Sequence, residues 1–393
     1  MMKKQSFTHS RKPKFGMRKL SIGLASCMLG MMFLTTSHVS GEVVEVWPYG
    51  QDPNDKIEIL SQTEDSESSQ RLRDIEDFQA EKKMQNVVYT KWLDGVDVKD
   101  HDFRKIVDGN IAYYATPLLN GRGFYDINKD FNRDSDKCAA AVAANMFHYW
   151  LDINRDNVDR FLRQNPEKHG IIELPDGQLK LSDFLNTYES DHGYRDKSKL
   201  FDFISNNFNG PVWTDKLLDN YINGYAYNYK YGRTIEDPTK NTSKINFFKE
   251  VFNEKILTNN HSIRNQNEFS VLLSEALYTG KAIGLSYGPA GLRHSLGHII
   301  SVWGADLDAD GNVVAIYVTD SDDKKLTIGD ERVGLKRYKI STDDENRLRL
   351  TAYEETHNTG GQIRGLWTLD TGKYAWADYF DKTEQTGTDQ AEQ

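Results

Sequence analysis

Apolar positions along this chain follow a helical spacing in its middle part and a strand-like spacing later on. Four segments have apolar residues spaced as in helices, and four later segments alternate or run continuously as in strands. The predicted helices are residues 138–152, 157–164, 214–223 and 267–278, and the predicted strands are residues 282–287, 298–305, 313–320 and 363–369. A helical half that precedes a mostly antiparallel sheet indicates the α+β class.

Polar residues and glycines mark the ends of these predicted helices. Asp136 is a candidate N-cap for the helix that begins at Cys138, and Thr214 is a candidate N-cap for the helix 214–223. Gly224 and Gly280 lie just past two helix ends, where glycine commonly stops a helix. The helix 138–152 is apolar on most sides, so we expect it to be buried.

Residues 1–41 differ from the rest of the chain. Seven basic residues between positions 3 and 19 precede an apolar run at 20–34, and small and polar residues follow. This pattern predicts a secretory signal peptide. A membrane anchor is the alternative, but the apolar run is short for a membrane span. We therefore expect a secreted, extracellular protein that has no membrane attachment after signal removal.

Removal of the signal peptide would change both the charge and the cysteine content. The formal net charge is −10 at pH 7, and loss of seven basic residues and no acidic ones gives −17. A protein this acidic repels phosphate groups, which argues against nucleic acids and anionic membranes as partners. Cys27 lies in the apolar run, so Cys138 would be the only cysteine left and could form no intramolecular disulfide.

Composition divides the remaining chain into three parts. Residues 42–85 are rich in Glu, Asp, Ser and Gln, which predicts a flexible or weakly helical leader outside the core. Aromatic residues are frequent after this leader, so we expect one folded domain over residues 86–381. Residues 382–393 are polar and are predicted to form a tail.

Cys138 is either a buried apolar residue or a nucleophile. A lone thiol in an exported protein is exposed to oxidation, so its presence calls for a reason. Its predicted position in the first turn of a helix favours the second interpretation, because free amides and the helix dipole stabilise a thiolate there. Papain-like and transglutaminase-like enzymes hold their nucleophile in this way.

His298 is the histidine best placed to serve that thiol. It opens the strand 298–305, and a short turn leads to the strand 313–320. A hairpin centred on Ala309 places His298 across from Asp320, and a slip of two residues places Asp322 there instead. In either register a carboxylate can orient the imidazole, as the third member of a catalytic triad does.

Other candidates are weaker. His148 lies ten residues beyond the cysteine on the same predicted helix, about 15 Å away, so we expect a surface or packing residue. His294 is the main alternative base, but Lys324 would be its partner in the same register and cannot orient an imidazole. The stretch 306–312 resembles a calcium loop, yet Tyr317 occupies the position of the bidentate glutamate. We therefore expect a solvated acidic turn and no metal.

Several motifs in sequence order resemble the streptococcal immunoglobulin-degrading endopeptidases, the IdeS/Mac family. They are GFYDINK at 123–129, CAAAVAANMFHYW at 138–150, DNYINGY at 219–225, HIISVWGAD at 298–306, AIYVTDSD at 315–322 and GLWTLDTG at 365–372. The resemblance implies a papain-like catalytic domain over residues 86–381. It also implies Cys138 as nucleophile, His298 as general base and acid, and Asp320 with Asp322 as supporting carboxylates. Lys129 matches a family lysine that helps to form the oxyanion hole.

The resemblance further implies cleavage of immunoglobulin heavy chains, with IgG near the hinge as the expected substrate and IgM as the alternative. We expect no cofactor and a monomer. Two other functions stay open on the residues alone: a transglutaminase-like acyl transferase with the same Cys-His-Asp set, and a non-enzymatic protein that binds immunoglobulin.

Overall fold

The structure, a computed structural model, describes most of the chain after residue 52. The described residues are 53–108, 111–119, 121–130, 134–174, 177–186, 188–189, 197–207, 213–224, 227–228, 233–234, 246–252, 255–288, 297–323, 327–328, 330–351 and 361–391. The predicted signal peptide, including Cys27, lies outside them. In the described ranges no helix is both long enough and apolar enough to cross a membrane.

Eight α-helices are present in the described part of the chain. They are α1 (Pro53–Met84), α2 (Cys138–Ile153), α3 (Arg155–Gln164), α4 (Lys199–Asn207), α5 (Thr214–Ile222), α6 (Lys249–Phe252), α7 (Gln266–Tyr278) and α8 (Lys373–Ala391). Two short 3-10 helices add to these, at Asp100–Asp102 and Leu181–Asp183. The four helices predicted from the sequence are therefore confirmed, with ends that differ by at most two residues.

Strands occur on both sides of the central helices. They are β1 (Tyr89–Trp92), β2 (Arg104–Asp108), β3 (Ile111–Pro117), β4 (Ile171–Leu174), β5 (Gly177–Lys180), β6 (Tyr188–Glu189), β7 (Lys197–Ser198), β8 (Tyr227–Asn228), β9 (Arg233–Thr234), β10 (Thr258–Ser262), β11 (Ala282–Gly288), β12 (His298–Leu307), β13 (Val313–Thr319), β14 (Thr327–Ile328), β15 (Glu331–Thr342), β16 (Leu348–Thr351) and β17 (Gly361–Leu369). The four predicted strands are confirmed. The expectation that helices precede the sheet is wrong in one respect, because β1–β3 come before α2 and join the same sheet.

The main sheet is antiparallel and closes on itself. Strands β12, β11, β17, β16, β15 and β13 pair in that order, and β13 pairs again with β12. This six-stranded ring leaves none of its members as a free edge. The predicted α+β class is confirmed.

Helix α2 lies against this barrel. Every residue from Cys138 to Leu151 is buried, as expected for a helix that is apolar on most sides. Gly284 of β11 permits the close approach, since a Cβ there would lie 3.1 Å from Cγ1 of Val142. Asn145 also donates a hydrogen bond of 3.1 Å to the Ser301 hydroxyl in β12. The helix is thereby fixed to the strands that carry the other site residues.

Both predicted N-caps are wrong. Lys137, not Asp136, precedes α2 in the cap position and makes no side-chain cap hydrogen bond. Trp213 takes the cap position of α5, and the Thr214 hydroxyl instead donates to the carbonyl of Ala139 at 3.2 Å. The Thr214 hydroxyl therefore makes a contact between two helices in place of a local capping hydrogen bond.

The acidic leader is not outside the core along its whole length. Its helix α1 packs on the sheet through Phe78, which is fully buried and stacks on Phe103 at 4.7 Å. Lys82 extends from the same helix to Asp100 at 3.0 Å. Glu81 of this helix is also buried and pairs with Lys339 of β15 at 3.5 Å, so the helix docks although it is strongly polar as a whole.

The predicted polar tail is also helical. Helix α8 continues through the proposed boundary at residue 381 to Ala391. Arg160 of α3 forms an ion pair with Glu384, and Gln164 donates to the hydroxyl of Thr383 at 3.2 Å. These contacts continue the helix beyond Phe380, the last buried apolar residue.

Candidate active site

Cys138 is the first residue of α2. Its thiol is free, and the residue is buried with 9% of its surface exposed. The sulfur is nevertheless not surrounded by apolar groups alone, because His298 and Lys129 lie near enough to lower the pKa of the thiol. Its position at the N-terminus of a helix favours the thiolate form.

His298 begins β12 and faces two carboxylates. Its Nε2 donates to Oδ1 of Asp320 at 2.6 Å, and its Nδ1 lies 3.8 Å from Oδ2 of Asp322. Since Nε2 is engaged by Asp320, Nδ1 is the ring nitrogen that remains available, and it has no hydrogen-bond partner among the described residues. Tyr287 packs edge-on against the ring at 5.6 Å. The imidazole is thus oriented from two sides.

The hairpin register differs from the first prediction. Ser301 pairs with Thr319, which corresponds to the slip of two residues, and the ladder contains irregularities between Val302 and Gly304 and between Asp306 and Leu307. Strand β13 ends at Thr319, and a turn follows in which the N–H of Asp322 donates to Oδ1 of Asp320 at 3.0 Å. Asp320, not Asp322, therefore contacts Nε2.

Lys129 joins the site through Asp322. Its Nζ lies 2.6 Å from Oδ1 of Asp322 and donates to the carbonyl of Ser135 at 3.0 Å. Its own N–H donates to the carbonyl of Ser321 at 2.8 Å, which fixes its backbone to the turn after β13. The side chain is fully buried. All five residues singled out in the sequence therefore lie in one cluster.

The electrostatics favour an ion pair between thiolate and imidazolium. Burial raises the pKa of the Cys138 thiol, but the nearby imidazole of His298 and the charge of Lys129 outweigh burial, so the pKa falls below its usual 9.0. Burial lowers the pKa of His298, but the charges of Asp320 and Asp322 outweigh it and hold the pKa well above 6.5. Both shifts favour a charged pair at neutral pH.

Sequence reasoning missed two charged groups behind Asp320. Nζ of Lys336, on β15, lies 3.6 Å from Oδ2 of Asp320 and 3.2 Å from Oδ2 of Asp323. All three side chains are at least nine-tenths buried. Asp323 directly follows the motif at 315–322. Lys336 reaches the site because β15 pairs with β13, and no pattern in its neighbouring residues indicates this position.

His298, Asp320 and Asp322 each present one potential ligand atom for a metal, all within 4.8 Å of one another. Both carboxylates already face lysine ammonium groups, Asp322 with Lys129 at 2.6 Å and Asp320 with Lys336 at 3.6 Å. Their negative charge is therefore compensated within the protein. This donor set fits an ion-pair network better than a cation site.

The remaining sequence candidates lie away from this cluster or outside the described residues. His148 is a packing residue, since it is buried, hydrogen-bonds to the Ser198 hydroxyl at 2.8 Å and stacks on Tyr125. The expected solvated turn is wrong for Asp306, which is fully buried and pairs with Arg337 at 2.7 Å. His294 and Lys324 lie outside the described residues.

A buried thiol at a helix N-terminus, an imidazole and an oriented carboxylate define the class of site that can carry out nucleophilic acyl transfer. A model of the family described as Mac 1 matches residues 54–376. The chain belongs to this family, and the resemblance found in its motifs is confirmed.

One relative is a protein named IgM protease from Streptococcus suis (strain P1/7). The chain is 32% identical to it over 282 residues, which is 69% of this chain and 23% of that protein. The chain therefore matches less than a quarter of its relative's length.

Proposed function

We propose that this chain is a cysteine endopeptidase that cleaves immunoglobulin heavy chains. The observation that carries the proposal is a free Cys138 thiol at a helix N-terminus, whose pKa is lowered by an imidazole with its Nε2 2.6 Å from Asp320. Membership of the Mac 1 family, which has a member named IgM protease, supports the same activity. The catalytic domain is proposed to be papain-like, with a nucleophile helix packed on an antiparallel barrel.

In the proposed reaction the Cys138 thiolate attacks the carbonyl carbon of the scissile peptide bond. The oxyanion that forms is stabilised by the backbone N–H of Cys138 and by the Lys129 ammonium. His298 donates its proton to the leaving amine, which produces a thioester on Cys138. The same imidazole then takes a proton from water, and the hydroxide attacks the thioester carbonyl. Cleavage of the C–S bond releases the carboxylic acid and restores the thiolate beside the imidazolium. Asp320 stabilises the imidazolium throughout.

The antibody class is the finer part of the proposal. The sequence motifs led us to expect IgG with IgM as the alternative, and the relative named IgM protease now favours IgM. We therefore propose an immunoglobulin heavy chain as substrate and IgM as the first antibody to test, with IgG second. We also propose that the enzyme is secreted, which the basic and apolar pattern of residues 1–41 supports, and monomeric, which its net charge of −10 supports.

Incubation with purified IgM, IgG and IgA, followed by reducing gel electrophoresis, tests the proposal. The wild-type protein should produce heavy-chain fragments of at least one antibody. Cys138→Ala should produce none while it retains antibody binding, because the substitution removes only the sulfur. Unchanged heavy chains in all three reactions would contradict the proteolytic function.

Two controls separate the alternatives. Pretreatment with iodoacetamide should stop cleavage, whereas a non-enzymatic binding protein would be insensitive to it. A transglutaminase-like enzyme would join antibody glutamines to an added primary amine without any heavy-chain fragment. A fluorescent amine in the same incubation therefore distinguishes transfer from hydrolysis.

A further inference from the structure

Lys336 lies behind the catalytic acid, on the side opposite His298. Its Nζ is 3.6 Å from Oδ2 of Asp320, while Oδ1 of the same carboxylate accepts from the imidazole at 2.6 Å. The two oxygens of Asp320 therefore face two different cations. The Lys336 ammonium also lies 5.5 Å from the ring centroid of Tyr338, within the range of a cation–π contact.

Asp323 holds Lys336 in this place. Its Oδ2 lies 3.2 Å from Nζ, and its side chain is 2% exposed against 5% for the lysine. A buried ion pair of this kind seldom improves stability over an apolar pair of the same volume, because both charges lose their hydration. Because Lys336 also lies 3.6 Å from Oδ2 of Asp320, the pair can act on that carboxylate, a role that stability does not explain.

We propose that Lys336 is a positioning residue of the active site, which holds Asp320 ionised with Oδ1 toward His298, and that Asp323 keeps Lys336 in place. The inference rests on the proposed function of Cys138, His298 and Asp320. It adds Lys336 and Asp323 to the active site, although neither of them contacts the imidazole directly.

The charges around Asp320 agree with this role. Burial raises the pKa of Asp320, but the charge of His298, and next that of Lys336, outweigh burial and lower the pKa below its usual range. Burial lowers the pKa of Lys336, yet its neighbours hold that pKa well above the usual value. Burial raises the pKa of Asp323 to about 7, although the charge of Lys336 lowers it. The titratable groups that face the Lys336–Asp323 pair are Asp320 and Asp322 on the turn, His298 on β12, Tyr287 on β11, Tyr338 and Arg332 on β15, and Tyr113 on β3.

Four variants test the proposal in the full-length protein: Lys336→Met, Asp323→Asn, the double variant, and Lys339→Met as a matched control. Lys339 lies three residues further along the same strand and pairs with Glu81 of α1 at 3.5 Å. The readout is the rate constant for alkylation of Cys138 by iodoacetamide as a function of pH. Peptide mass spectrometry separates Cys138 from Cys27, and thermal unfolding reports the fold.

Lys336→Met should move the acidic limb of the pH profile about one unit to higher pH, so that alkylation slows about tenfold at a given pH on that limb while the plateau around neutrality changes little. The reason is that Asp320 loses a cation that favours its ionised form, so protons compete for it at higher pH. Asp323→Asn should change the rate less than threefold. Lys339→Met should leave the profile unchanged.

The double variant decides between positioning and simple charge balance. If Lys336 serves only to neutralise Asp323, removal of both charges should restore the wild-type profile, and the proposal is overturned. If Lys336 acts on Asp320, the double variant should regain thermal stability but keep the shifted acidic limb. The double variant also carries the test if Lys336→Met does not fold, since it leaves no unpaired buried charge.

Alkylation needs no antibody. If Cys138 of the wild-type protein is alkylated normally but no immunoglobulin is cleaved, the proposed function is contradicted. The pH profiles of alkylation still decide the role of Lys336 in that case. An unchanged profile in Lys336→Met, with antibody cleavage intact, would overturn the role of Lys336 and leave the proposed function standing.

Discussion

Oδ1 of Asp320 lies 2.6 Å from Nε2 of His298 although no ladder pair joins the two residues. Pairing between their strands ends at Ser301 and Thr319. The contact is made by the turn that follows, where the N–H of Asp323 donates to the carbonyl of Asp320 at 3.2 Å. A turn rather than a strand therefore places the acid, and it places Asp322 beside Lys129.

Asp320→Asn and Asp322→Asn should differ in severity. Asp320→Asn should lower kcat by about 10²- to 10⁴-fold, because an amide cannot stabilise the imidazolium and can favour the wrong tautomer. Asp322→Asn should lower kcat about tenfold, since Asp322 lies 3.8 Å from the ring and its nearer partner is Lys129. Steady-state cleavage of the antibody substrate measures both. Equal and small effects would contradict the assignment of Asp320.

Lys129→Met should lower kcat by about 10²-fold with little change in KM, because an oxyanion donor acts in the transition state. Alkylation of Cys138 should slow less than turnover does, since Lys129 affects the resting thiolate only through its charge. Lys281→Met is a suitable control, because Lys281 pairs with Glu275 at 2.9 Å and has no contact with the site. A loss in kcat under threefold would argue that Lys129 only supports Asp322.

The pH dependence of Cys138 alkylation should follow the two shifted groups. The pKa of the Cys138 thiol is lowered below 9.0, so the thiolate should remain the main form at pH values below 9.0. The imidazole pKa is raised well above 6.5, so the paired form should be lost only as the pH rises through that raised pKa. Stopped reactions across the pH range should therefore show a plateau around neutrality. A single rise centred near pH 9 would indicate an unpaired thiol.

Phe78→Ala tests whether helix α1 belongs to the folded domain. The ring is fully buried between Phe103 and Tyr114, so its removal should lower the free energy of unfolding by about 3 kcal/mol. Leu72→Ala on the same helix is the control, because Leu72 is 62% exposed, and it should change that free energy by less than about 0.5 kcal/mol. Urea titrations measure both. Equal values for the two variants would place the helix outside the cooperative unit.

Much of this architecture could be predicted because its causes are local. Helix α2 is apolar on most sides, and helix α7 begins after Asn265, whose side chain accepts from the N–H of Glu268 at 2.9 Å. Such signals act within a few residues, so apolar spacing suffices to find the helices, although both N-caps named from the sequence are wrong. The positions of Cys138 at a helix start and of His298 at a strand start follow from the same local patterns.

Contacts between distant segments could not be predicted in this way. The sequence indicated that an acid would reach His298 but left Asp320 and Asp322 open, because strand irregularities shift the register and the final contact is made by a turn. It also gave no indication of Lys336, which lies sixteen positions beyond Asp320 and reaches it only because β15 pairs with β13. Local patterning thus determined which side chains are available for chemistry, whereas long-range pairing decided which of their atoms meet. The physical reason is that helix and strand periods act over a few residues, while charge pairing in the interior depends on how the whole sheet closes.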